Sequence, residues 1–170
     1  MNNITTNNNN LSYEERTYPI RGKIIANFAM LEKQIELLLA TEFSENNTQK
    51  RKLEAIVFSR MTFESKWTAL NGVLLNRDTD GFLPQQKKGN PNKKVMEELL
   101  YLHTIRNQFI HYPTVKATSK TASGYVIGLA EYPDSPNTSW YTNDDIDEIV
   151  GKIYAVKSVI LGLTRRKQNT

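Results

Sequence analysis

Apolar residues recur at helical spacing along most of this chain. Ile20, Ile24, Phe28, Leu31, Ile35 and Leu38 draw one stripe, widened by Leu39, and predict a helix from about Tyr18 to Thr41. Ser44 to Thr48 is a polar break rich in capping residues. A second helical region is expected from about Gln49 to Arg77. Leu53, Ile56 and Val57 make its first stripe, and Phe63, Trp67, Leu70 and Leu74 its second. The register shifts between Ser59 and Thr62, which fits either two helices or one kinked helix.

Asp78 to Asn92 reads as a loop broken by Gly81, Pro84, Gly89 and Pro91. A third helix is predicted from about Pro91 to His111, with Val95, Leu99, Leu102 and Phe109 on its core side. Pro113 stops it by pushing the preceding residue out of the helical region. Val115 and Ala117, then Tyr125, Ile127 and Leu129, alternate with period two around Ser123-Gly124 and predict a small β-hairpin. Tyr132 to Tyr141 reads as a Pro/Asn/Ser loop. The final helix starts at Thr142 or Asn143 and runs to about Thr164, with Ile146, Ile149, Val150, Ile153, Val156, Ile160 and Leu163 as its apolar face. Thr142 with Asp145 resembles a capping box. The expected fold is all-α: an up-down bundle of four or five helices with a short β-hairpin or loop insertion before the last helix.

Composition narrows this picture. The chain has 170 residues, 39% hydrophobic, which suits one domain over residues 13–165. Residues 1–12 read as a disordered, Asn- and Thr-rich N-terminal tail without the apolar segment of a secretory signal, and 166–170 as a second tail. No cysteine is present, so thiolate chemistry and disulfides are excluded. No apolar run is long enough to span a membrane, and a cytoplasmic protein is expected. The net charge of +4 is gathered at Lys50-Arg51-Lys52, Lys87-Lys88, Lys93-Lys94 and Arg165-Arg166-Lys167. Each cluster alone reads as a solvated helix end or loop. Together they suit RNA, whose phosphates attract cations without regard to sequence. Asp78-Thr79-Asp80-Gly81 lacks the further acids of a calcium loop, and no metal or cofactor is expected.

The stretch Arg106-Asn107-Gln108-Phe109-Ile110-His111 breaks the apolar rule of the third helix. Residues advance about 100° each, so His103, Asn107 and His111 form one polar row, while Arg106 falls near the centre of the Val95/Leu99/Leu102/Phe109 stripe. A guanidinium there is costly unless it is paired or reaches an anion. One reading pairs Arg106 with Glu32 or Glu36 of the first helix, closes the helix end with His111 and leaves Asn107 on the surface. The other makes Arg106, Asn107 and His111 a site that binds a phosphate and moves a proton at neutral pH. His103 and His111 lie eight positions apart, about 12 Å along the axis, which is too far for one metal ion. Met96, Leu100, His103 and Asn107 share a second side of this helix, read either as a dimer face or as ordinary core.

Arg106-Asn107-x-x-x-His111 resembles the signature of HEPN domains, all-α bundles whose motif is Arg, four to six residues, then His. The order of the first helix, the Phe63-Glu64-Ser65-Lys66-Trp67 segment and the motif helix is similar to that family over residues 18–164. A tyrosine two residues after the His, found in some toxin members, is replaced here by Pro113, and Tyr112 follows His111 directly. The resemblance implies a metal-independent endoribonuclease that leaves 2′,3′-cyclic phosphate ends, a toxin or phage-defence effector with an antitoxin or defence-system partner. It implies Arg106, Asn107 and His111 as catalytic residues and a homodimer whose two motifs share one cleft. Lys66, His103 and Tyr112 are weaker candidates for RNA contact. For Lys66, a solvated stem covering Trp67 is the alternative. Two other functions stand beside this one: a HEPN protein that binds RNA, nucleotide or a partner without cleaving, and a helical interaction protein.

Overall fold

A computed structural model describes residues 12–79, 91–116, 124–133 and 135–168. The tail before Ser12, the middle of the 78–92 loop with Lys87-Lys88, the hairpin tip before Gly124, Asp134 and the last two residues lie outside the described residues.

α1 runs Tyr13–Glu42. It begins earlier than the apolar stripe because Ser12 and Glu15 form a reciprocal capping box. The Glu15 backbone N–H donates to Ser12 Oγ at 3.2 Å, and the Ser12 N–H donates to Glu15 Oε2 at 2.7 Å. Pro19 falls in the second turn and removes one backbone bond without ending the helix. Ile24, Phe28, Leu31, Ile35, Leu38 and Leu39 are all buried, as the stripe predicts.

The second helical region is divided. α2 (Asn47–Lys52) opens under an Asn46 cap and widens into a π-turn at Leu53–Val57, then tightens into a 3₁₀ turn at Phe58–Arg60. These turns keep Leu53 against the core but rotate the rest of the expected stripe away, so Ile56 and Val57 are exposed and Phe58 is buried instead. Thr62 then starts α3 (Phe63–Thr79) by accepting from the Ser65 N–H at 3.2 Å. Phe63, Leu70, Val73 and Leu74 face inward.

α4 (Pro91–His111) buries Leu99, Leu102, Ile105 and Phe109. The row Met96, Leu100, His103, Asn107 is not one surface: Met96 and His103 are buried, Leu100 is exposed, and the Met96 carbonyl accepts from Trp67 Nε1 at 3.3 Å. That row is therefore split, two residues in the core, Asn107 half-buried and Leu100 outside, and the exposed side of α4 carries Leu100, Tyr101, Thr104 and His111.

A three-stranded antiparallel sheet, ordered β1 (Thr114–Val115), β2 (Tyr125–Ala130), β3 (Thr138–Thr142), stands where a hairpin or loop was expected. β3 lies inside the segment read as a Pro/Asn/Ser loop. Its pairing partner fixes it: Gly128 lies opposite Trp140, and a Cβ on that glycine would meet the indole at 2.5 Å. Tyr141 turns inward against Phe109, with ring centroids 5.1 Å apart, and its hydroxyl donates to Gln108 Oε1 at 2.5 Å. The sheet is thus tied to the C-terminal half of α4. α5 (Asn143–Gln168) is capped by Thr142, which accepts from the Asp145 N–H at 3.1 Å, and it extends past the predicted Thr164 into the Arg165-Arg166-Lys167 cluster. The described chain is mostly helical, and α1 lies in the centre with α3, α4 and α5 against it.

Candidate functional site

An open, polar cleft of about 360 Å³ lies where the start of α3 meets α1 and α4. Three of its walls are residues of the α4 polar stretch, His103, Arg106 and Asn107. The abrupt Thr62 cap brings Phe63 and Glu64 to the opposite side, and Glu32 of α1 reaches it from below. Arg106 is half-buried. Its guanidinium carbon lies 6.0 Å from the centroid of the Phe28 ring, a face that attracts cations, and its Nη1 donates to Asn107 Oδ1 at 2.9 Å.

That bond orients the neighbouring groups. With Oδ1 turned to Arg106, the amide nitrogen of Asn107 is left facing His103 Nε2 at 3.3 Å. That contact is a hydrogen bond in the tautomer that keeps a lone pair on Nε2 and its proton on Nδ1. The ring is stacked on Phe63 at 4.2 Å with its plane tilted by only 17°. Glu64 Oε1 lies 3.5 Å from the same Nε2. Burial pushes the His103 pKa below its ordinary value, and Arg106 adds to this, while Glu64 and Glu32 oppose it. The Glu64 carboxyl is held below its usual range, chiefly by a backbone N–H, with Thr62, His103 and Arg106 contributing.

The lowered His103 pKa has a consequence for stability. Between the folded pKa and the ordinary value of about 6.5 the unfolded chain binds more protons than the folded one, so stability falls as pH drops through that window and is fully present above it. Thermal melts between pH 8 and 5 are expected to show a falling melting temperature in the wild type. His103→Gln should flatten that segment, and an unchanged slope would contradict the assignment.

The other sequence candidates are distributed differently. His111 is exposed at the last residue of α4, two turns beyond His103, and is not part of the cleft wall. Tyr112 is half-buried, and its carbonyl accepts from Arg21 Nη2. Lys66 is neither a solvated stem nor a cleft ligand. It is 3% exposed, and its ammonium bonds Glu32 Oε1 at 2.6 Å and Glu36 Oε1 at 2.7 Å. Burial pulls the Lys66 pKa down, but the two carboxylates outweigh it and raise it. Lys33 extends the cluster to Glu36 at 3.1 Å and Glu54 at 2.9 Å. The acids read as possible partners of Arg106 are therefore neutralised by Lys66. Glu64 is the cleft residue that sequence reasoning missed; its one signal was its place two residues after the Thr62 cap.

Arg51, Lys52, Lys93 and Lys94 are exposed, although Lys93 stands 3.7 Å from Glu97. Among the described residues no group of His, Asp and Glu is arranged to hold a metal ion, and no helix is long and apolar enough to cross a membrane. No family model, curated protein or solved structure matches the chain.

Proposed function

We propose that this chain is a metal-independent endoribonuclease of the HEPN type, built on an up-down helical bundle. The observation that carries the reading is Arg106 and Asn107 side by side on the wall of an open cleft, with the Glu32 and Glu36 carboxylates of α1 bonded to Lys66. The Arg106 guanidinium lies beside the Phe28 ring, within the field of Glu64, on the wall of the open cleft. Nη1 serves Asn107, and the remaining N–H donors suit the non-bridging oxygens of a phosphodiester, where they stabilise charge that builds during transfer. RNA carries its own nucleophile in the 2′-hydroxyl, so the protein needs only to hold the phosphate and move protons. His111, exposed and one turn beyond Asn107, supplies proton transfer. The products carry a 2′,3′-cyclic phosphate and a 5′-hydroxyl. We infer a homodimer that brings two copies of the motif to one cleft, and a cellular role as a toxin or phage-defence effector, held in check by an antitoxin or defence-system partner.

The deciding assay is cleavage of single-stranded RNA in EDTA. Wild type is expected to cut and to leave cyclic phosphate ends, and His111→Ala is expected to lose at least about 10²-fold in rate with an unchanged melting temperature. Cleavage that EDTA abolishes, or no cleavage at all, would overturn the reading. One observation favours binding without cleavage instead: His111 does not line the cleft that holds Arg106. In that case RNA binds with a steep salt dependence, weakened by Arg106→Ala, and remains intact.

A further inference from the structure

The cleft has an imidazole of its own. His103, not His111, shares its wall with Arg106 and Asn107. Its ring is clamped by Phe63 on one face, with Phe28 nearby, and its Nε2 edge is turned to the polar side chains that line the opening. We propose that His103 is a catalytic residue of this cleft, whose Nε2 accepts the 2′-hydroxyl proton of an RNA with its scissile phosphate on Arg106. This rests on the ribonuclease reading above and divides its proton transfers between two histidines.

Three observations converge on the base role. The Arg106–Asn107–His103 chain of contacts suits the tautomer with a lone pair on Nε2, which is the form a base requires. Burial keeps the ring neutral near pH 7. Glu64 Oε1, 3.5 Å from the same nitrogen, is close enough to stabilise the imidazolium by its charge once the proton has arrived. Arg106 on α4 and Glu32 on α1, itself bonded to Lys66, are the other charged groups facing the ring.

The step balances without an oxidant or metal. The 2′-O–H bond breaks and its proton goes to His103 Nε2. The 2′-oxygen forms a bond to phosphorus. The bond from phosphorus to the 5′-oxygen breaks, its electron pair leaves on that oxygen, and His111 of the dimer proposed above protonates it. Water then returns both histidines to their starting forms.

The test uses the full chain, two substrates and a spectrum. One substrate is an RNA oligonucleotide. The other is uridine 3′-(4-nitrophenyl phosphate), whose leaving group needs no acid. His103→Gln is expected to lower kcat on both by about 10²-fold or more and to remove the acid limb of kcat/KM against pH. His111→Ala is expected to lose far more on RNA than on the nitrophenyl ester. Because His103 is buried, the exposed Glu64→Gln serves as a second variant: with the imidazolium less stabilised, the acid limb should move to lower pH. Nitrogen-15 NMR of the wild type should report an unprotonated Nε2 at neutral pH. Wild-type rates in His103→Gln, an unmoved profile in Glu64→Gln, or a protonated Nε2 at neutral pH would each overturn the assignment while leaving the ribonuclease reading standing. A wild type that fails to cut RNA in EDTA removes both.

Discussion

Lys66→Met is expected to destabilise the protein by about 3–5 kcal/mol, the cost of leaving a buried charge without its counter-ion. Lys66 is 3% exposed and satisfies two carboxylates at once, of which Glu36 is itself buried. Removing the ammonium leaves Glu36 to Lys33 alone, at the exposed rim of the cluster. A fall of about 6–20 °C in melting temperature follows for a domain of this size. The penalty belongs to the stranded acids rather than to the lost bonds, so Lys66→Met combined with Glu32→Gln and Glu36→Gln should recover much of it. Equal melting temperatures for the single variant and the wild type would show that the cluster is solvated in solution. A triple variant no better than the single one would place the cost in packing.

Arg106→Ala is expected to reduce kcat/KM for RNA by about 10²–10³-fold, the usual scale for removing one preorganised donor to a developing oxyanion. Arg106→Lys should rescue little, because an ammonium cannot hold Asn107 and a phosphate with a planar fork. The same change is expected to leave stability nearly intact: Arg106 is half-buried, and its hydrogen bond is to its immediate neighbour, Asn107. A large drop in melting temperature with no effect on RNA would mark Arg106 as a packing residue and defeat the functional reading.

The long helices were legible because burial repeats along them with one period. The α1 and α5 stripes are buried nearly residue for residue. The same logic failed at Ile56 and Val57, since a π-turn changes the residues per turn without any change in composition that announces it. β3 escaped notice for a different reason. Thr138–Thr142 is short and follows the polar, proline-broken sequence Ser135-Pro136-Asn137, and what makes it a strand is a distant partner, Gly128 opposite Trp140. In the candidate site, Arg106 and Asn107 could be singled out as a local breach of the apolar pattern. The fate of Lys66 could not: whether it or Arg106 neutralises Glu32 and Glu36 depends on how α3 docks on α1, a contact spanning 30 or more residues.

Glu32 belongs to two neighbourhoods at once. One of its oxygens holds Lys66 inside the bundle, and the same side chain borders the cleft that holds Arg106 and His103. Robustness and reactivity therefore share a component. An engineer who replaced the internal charges with hydrocarbon to harden the scaffold would also erase a negative charge beside the histidine and shift its proton affinity downward. If the cleft is the proposed ribonuclease site, variants selected only for heat tolerance should drift in their working pH range even with Arg106, Asn107 and His103 unaltered.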